Sequence, residues 1–320
     1  MAALTGWRSA ARLARGVLLA ALTTSAGAGD TPPAQRIADD IYIFPGAVAA
    51  PSSENGGRVA NVGVIVGRAG VIVVGTGTSD ADGEGLLVAI GRLTPQPVVL
   101  AIDTYAGPEH VLGNSAFSRR GIPILAHRET DNYMVHSCAV CLRRLRDAVG
   151  DTAMAGSRLD QPHRLIDGAT SLVVGGRRLD ILYYGPTQQP GSIAVFDTAS
   201  GVLFAGGLAS FDVVPDAHDA DLDAWGEALQ QMRRLPLTRV IPARGPPGAP
   251  GRLAEVAEYL TELARATQDA YATLSDASES PDLPRYTGWA MYAPAHRRNV
   301  YFQYLRLEAK EFAEHPAPRP

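Results

Sequence analysis

Pro97–Asn114 reads PVVLAIDTYAGPEHVLGN, and this stretch decides the fold. Its first half is an aliphatic run with no polar break before Asp103, as expected of a strand buried on both faces. Gly107 and Pro108 interrupt that run, and a helix is predicted from Pro108 to Arg120. The junction has the framing of a metal-binding loop, yet only Glu109 and His110 in it are good ligands. Asp103 and His110 can equally serve as capping and hydrogen-bonding groups at a strand-to-helix turn.

Outward from this junction the chain alternates strand and helix patterns. Upstream lie a strand in IYIFPG, a hairpin of NVGVIVG and GVIVVGTG around Arg68-Ala69-Gly70, and a helix over ADGEGLLVAIGRL. Downstream come the strand IPILA and a long helix through ETDNYMVHSCAVCLRRLRDAV. After that helix a second β-rich half follows, in SLVVGGRRLDILYYG and SIAVFDTASGVLFAGG. The helix LDAWGEALQQMRRL, the strand RVIPA and the helix GRLAEVAEYLTELARATQDAY complete it. Two β-rich halves, each ending in βα units, imply sheet packed on sheet with helices outside.

Composition narrows the function classes. The 320 residues are 46% hydrophobic and 19% charged with net charge -4, enough apolar material for one large core or two small ones. Of 29 basic residues only Lys310 is a lysine, and the arginines are scattered singly or in pairs. No basic stripe exists to follow a phosphate backbone, so nucleic acid is not an expected partner. At the N-terminus Arg8, Arg12 and Arg15 precede the short apolar run GVLLAAL, with a plausible cleavage site at Ala26-Gly27-Ala28. That is the form of a secretory signal over residues 1–28, and an N-terminal anchor or amphipathic helix is the other reading. The mature protein is then expected outside the cytoplasm, periplasmic or secreted, with no membrane span after cleavage.

Five frames together resemble one family. NVGVIVGRAGVIVVGTG, DTYAGPEHVLGNSAF, YYGPTQQPGSIAVFD, GVLFAGGL and VIPARGP follow the order and spacing of the metallo-β-lactamase superfamily. The resemblance implies an α/β fold: a four-layer αββα sandwich over residues 29–275, here with an inserted helix, and a C-terminal helical extension over 276–320. A narrower resemblance, to periplasmic quinoprotein relay metallohydrolases that accompany PQQ-dependent alcohol dehydrogenases, rests on SCAVCLRRLRD, MAGSRL and HRRNVYFQYLRLEAKEF. It implies a periplasmic quinoprotein dehydrogenase component as a partner.

Members that bind metal carry His-x-His-x-Asp-His in the first loop, where this chain has Tyr105, Gly107, Glu109 and His110. A later histidine position holds Gln188, the bridging aspartate position Gly207, and the last histidine position Arg244; the supporting aspartate upstream is Gly75. Zinc sites need at least three protein ligands, and an arginine is a permanent cation. The resemblance with these substitutions implies no catalytic residue, no metal ligand and no cofactor. Tyr105, Glu109, His110, Gln188 and Arg244 would line a vestigial pocket for a small anionic ligand, with Arg244 paired to Glu109. Two other readings stay open. One is a zinc hydrolase with altered ligands, using His110 and Glu109 with Tyr105 or Asp103. The other is an interaction module with an inert cleft.

Cys138 and Cys141, the only cysteines, are expected as a local disulfide in an oxidising compartment. Redox exchange, or half of a metal site with His136, are the alternatives. His127, His163, His218, His296 and His315 show no metal spacing. Asp216–Asp223, DAHDADLD, lacks the central glycine of a calcium loop and is predicted to cap a helix starting near Leu222. In the C-terminal helix Val300, Tyr304, Leu307 and Phe312 fall near one face, which should dock on the body or on a partner.

Overall fold

The computed structural model describes residues 31–273 and 281–314, so the expected signal segment lies outside the described residues. Seven strands form the first sheet in sequence order: β1 (Gln35–Ala38), β2 (Ile41–Phe44), β3 (Val62–Gly67), β4 (Gly70–Val74), β5 (Val98–Asp103), β6 (Ile124–His127) and β7 (Arg164–Ile166). β1 to β4 pair antiparallel, β3 and β4 through the predicted hairpin. From β4 to β7 the pairing is parallel, which requires crossovers. These are α1 (Asp80–Leu93), the pair α2 (Pro108–Val111) and α3 (Asn114–Ser118), and α4 (Arg128–Val149).

The second sheet runs β12-β11-β10-β9-β8, from β8 (Thr170–Val174), β9 (Arg177–Tyr183), β10 (Ile193–Asp197), β11 (Val202–Ser210) and β12 (Arg239–Arg244). Only β11 and β12 are parallel, joined by α5 (Leu222–Met232). Then follow α6 (Arg252–Ala272) and α7 (Arg297–Glu314).

Burial on both strand faces is what makes four layers. Ile65, Ile72, Leu100 and Ile102 point between the sheets to meet Ile181, Ile193, Val195 and Phe204. Their chain neighbours Val64, Val73 and Ala101 face outward, under Leu86 and Ile90 of α1 and Phe117 of α3. On the other side Phe196, Leu203 and Ala205 pack beneath Trp225 of α5, Tyr259 and Leu263 of α6, and Val300 of α7. The αββα sandwich, the inserted helix and the C-terminal helix are thus as expected.

Two elements differ from expectation. The single helix predicted from Pro108 to Arg120 is broken at Gly113, where a Cβ would lie 1.9 Å from the Thr76 carbonyl oxygen. That close approach lets Gly113 N–H donate to the Gly77 carbonyl at 3.1 Å, so the chain after β4 is bound to the α2 turn. On α7, Val300 and Tyr304 are buried, but Leu307 is only partly covered and Phe312 is 75% exposed. The helix is held by amides as well: Asn299 binds Ala217 N–H and the Pro215 carbonyl, and Gln303 donates to the Ala217 and Ala220 carbonyls.

Candidate functional site

The site is built where β5 ends and α2 begins, at the upper edge shared by both sheets. Tyr105 leaves β5 and is almost wholly buried, its ring stacked on the His110 imidazole with centroids 4.6 Å apart. Its hydroxyl donates to Glu109 Oε1 at 3.1 Å. Burial, reinforced by the Glu109 carboxylate and opposed by Arg244, pushes the phenol well above its ordinary range, so it stays neutral.

His110 is fixed by Thr104, whose N–H donates to Nε2 at 3.2 Å and whose hydroxyl lies 2.9 Å from the same nitrogen. Accepting that N–H requires the lone pair on Nε2 and the proton on Nδ1, which is buried without a partner. Burial lowers the imidazole to about 3, so the ring is neutral. The ring lies over Gly75, where an added Cβ would sit 2.6 Å from Nδ1.

Gln188 comes from the loop between β9 and β10. Its Oε1 accepts from the Ser192 hydroxyl at 3.0 Å and its Nε2 donates to the Asp216 carbonyl at 3.3 Å. Across from it, a Cβ on Gly207 of β11 would lie 2.6 Å from Gln188 Oε1 and 3.0 Å from Tyr105 Cγ. The phenol ring and the amide therefore fill the space in front of Gly207.

Arg244 closes the group from the end of β12. Its Nη2 donates to the Ala49 carbonyl at 2.6 Å, while Nε is buried without a partner. The expected ion pair with Glu109 is not formed among the described residues. Each already has a nearer partner, the Ala49 carbonyl for Arg244 and the Tyr105 hydroxyl for Glu109. The guanidinium still acts on the Tyr105 hydroxyl through its charge.

These residues do not fit zinc. Gly107 and Gly207 offer no donor, and Arg244 has no lone pair to give. Gln188 Oε1 is engaged by Ser192, and His110 Nε2 is turned to Thr104. Asp103, the other carboxylate near by, is fully buried and accepts from Asn114 Nδ2 at 2.7 Å. Burial, opposed by that hydrogen bond, raises its carboxyl to about 8. Among the described residues no three His, Cys, Asp or Glu side chains gather as a metal's ligands.

Two surrounding groups escaped sequence reasoning. Beneath the site Asn114 links Asp103 to the Thr76 hydroxyl, which donates to Asn114 Oδ1 at 2.6 Å. Above it His218 is clamped between Asp216 Oδ1 at 2.7 Å and Asp219 Oδ2 at 2.8 Å. Arg298 of α7 joins Asp216, and Tyr133 of α4 donates to Asp219 at 2.6 Å. The signal for this clamp was Asp-x-His-Asp, acids at two and one residues from an imidazole. The predicted cap was also found: Asp221 Oδ1 accepts from Ala224 N–H. Cys138 and Cys141 are thiols, so the expected disulfide is not formed. Two cysteines a turn apart on an intact helix have Cβ atoms about 5–6 Å apart, so joining them requires the turn to tighten.

Comparison with known proteins bears on the same region. Residues 55–244 match the model of the metallo-beta-lactamase superfamily. No curated protein matches the chain. Among solved structures, a metallo-beta-lactamase from Pontibacter korlensis superposes with TM-score 0.58 at 20% identity, covering 71% of this chain and 98% of that one. The metallo-beta-lactamase FIM-1 from Pseudomonas aeruginosa, in its mono-zinc form, gives TM-score 0.58 at 20% identity, covering 75% and 99%. One from Hirschia baltica gives 0.54 at 19%, covering 72% and 98%.

Proposed function

The chain belongs to the metallo-beta-lactamase superfamily, and from that membership we propose that it is a non-hydrolytic member whose metal seat has been taken over by its own side chains. One observation carries the reading: the Tyr105 ring and Gln188 amide stand against Gly207, and the His110 ring against Gly75, the two positions that the family resemblance assigns to metal-site carboxylates. Hydrolysis in the family depends on a metal-activated water. Without three donors that nucleophile has no source, and no activated serine or cysteine lies in the matching loops.

The frames SCAVCLRRLRD, MAGSRL and HRRNVYFQYLRLEAKEF support a setting in an exported quinoprotein system of alcohol oxidation, with the chain as an accessory or ligand-binding protein. The charge pattern of residues 1–28 supports export. No described helix is long and apolar enough to cross a membrane. Of the five pocket residues only Glu109 and Arg244 are partly exposed. A small anionic ligand would therefore meet Arg244 at the rim rather than enter a cavity.

Assay of the purified chain with a chromogenic β-lactam and a thioester, with and without added zinc, tests the reading. No turnover above buffer is expected in either condition. Zinc-dependent turnover abolished by Glu109→Gln would establish the altered-ligand hydrolase instead.

A further inference from the structure

Cys138 and Cys141 lie on the face of α4 that covers the α2 turn. Cys138 is buried with Ala106, Val111 and Met134, and Tyr133, Cys141 and Leu159 pack at the edge of that cluster. Cys138 Sγ lies 3.5 Å from the Ala106 carbonyl, and Cys141 Sγ 3.6 Å from the Ser137 carbonyl. Cys138 is only 1% exposed, whereas Cys141 is partly open to solvent. The two cysteines stand one turn apart on the same face of α4.

The charges around Cys141 come from three elements. Arg144 lies on its own helix, Glu109 on the α2 turn, and His218 on the segment after β11. His218 is held as a cation: burial opposes its charge, but Asp216 and Asp219 outweigh that and raise it to about 9. Tyr133, bonded to Asp219, fastens this clamp to α4. The Cys138 hydrogen bond lowers Cys141 to about 7 against burial and Glu109, with Arg144 and His218 assisting. The same hydrogen bond, with burial, pushes Cys138 far up and keeps it a thiol. The partly open sulfur is thus the one favoured as thiolate, and its buried neighbour keeps its proton.

We propose that Cys138 and Cys141 form a thiol–disulfide exchange site, in which Cys141 attacks a small carboxylate-bearing disulfide and Cys138 resolves the mixed disulfide. The order is the reverse of the usual one, in which the N-terminal cysteine of the motif attacks, because here that cysteine is the buried one. The recessed Cys141 favours a small molecule. Arg144, one turn on along the same face, is exposed and, among the described residues, makes no ion pair, which favours an anionic one. This inference is independent of the non-hydrolytic reading.

The chemistry balances. The Cys141 thiolate forms a bond to one sulfur of the incoming disulfide, whose S–S bond breaks and releases the other half as a thiolate. Cys138 gives its proton to that departing thiolate and bonds to Cys141 Sγ, expelling the second half as a thiolate. The protein dithiol is oxidised by two electrons and the small disulfide is reduced to two thiols. Closing the bond tightens the helical turn, so the oxidised pair is readily reduced again.

The test uses the reduced full-length chain with oxidised glutathione at pH 7, read by intact mass. Wild type is expected to end as the internal disulfide, two hydrogens lighter. Cys138→Ser should stop at one glutathione adduct on Cys141, and Cys141→Ser should react at least about tenfold more slowly than Cys138→Ser. Adding His218→Gln to Cys138→Ser should slow adduct formation at pH 7 and move its pH midpoint upward, with the rates converging near pH 10. Brief iodoacetamide labelling of wild type followed by peptide mapping requires no substitution, and Cys141 should carry the label first. Equal reactivity of the two single variants, a wild-type adduct that never resolves, or first labelling at Cys138 would each overturn the proposal. An unchanged pH profile in the His218→Gln background would remove His218 from it.

Discussion

A methyl group is a direct probe of how full the sheet edge is. Gly207→Ala would place its Cβ 2.6 Å from Gln188 Oε1 and 3.0 Å from Tyr105 Cγ, and both neighbours are held by hydrogen bonds. It should destabilise the chain by about 1–3 kcal/mol in urea unfolding, and Tyr105→Ala in the same chain should recover part of that loss. A neutral Gly207→Ala would mean that the space is open. Asp103 gives a second residue-level expectation. Folded, its carboxyl keeps a proton until about pH 8, whereas in the unfolded chain it loses the proton near about 3.9. The folded state holds the extra proton between those values, so the group's contribution is full below about pH 4 and is lost as pH rises to about 8. Asp103→Asn keeps an acceptor for Asn114 without titrating. Its advantage over wild type should grow across that window and level off above it, whereas parallel stability curves would contradict the assignment. At this scale it was legible which residues meet at the sheet edge, because Tyr105, Gln188 and Gly207 stand in recognisable frames. How they pack there was not legible, since the packing of a ring against a glycine a hundred residues away depends on three dimensions. The Arg244–Glu109 pairing failed for a related reason: opposite charge says nothing about a competing carbonyl or hydroxyl.

Helices and strands with a clear period were readable in advance, and the exceptions have local causes. α2 and α3 were read as one helix because helical patterning hides the close approach that only Gly113 permits at Thr76. α7 was read by its apolar positions, yet Phe312 stays in water and Asn299 and Gln303, polar residues that an apolar pattern passes over, face the body. Asn299 bonds Ala217, Pro215 and Tyr259, so Asn299→Ala leaves buried groups unpaired and should cost about 1–3 kcal/mol. Hydrogen exchange should show α7 and the Pro215–Ala220 segment opening together. Leu305→Ala, on the exposed side of α7, should change neither. Exchange confined to α7 would show that the amides do not couple it to that segment.

Over the whole molecule the fold was legible because the central strands of both sheets are buried on both faces, which yields runs such as VVLAI and SIAVF bounded by turn residues. The same scaffold brings the ends of β5, β11 and β12 to one edge, whatever side chains stand there. Fold and chemistry are therefore separable here, as in any widely reused architecture. The central claim, that the chain's own side chains occupy the place of a metal, is tested most directly by elemental analysis of protein purified without chelator, followed by calorimetric titration with zinc. The account predicts zinc far below one equivalent per chain and no saturable heat that depends on Glu109 or His110. One tightly held zinc per chain, lost on Glu109→Gln or His110→Ala, would contradict it.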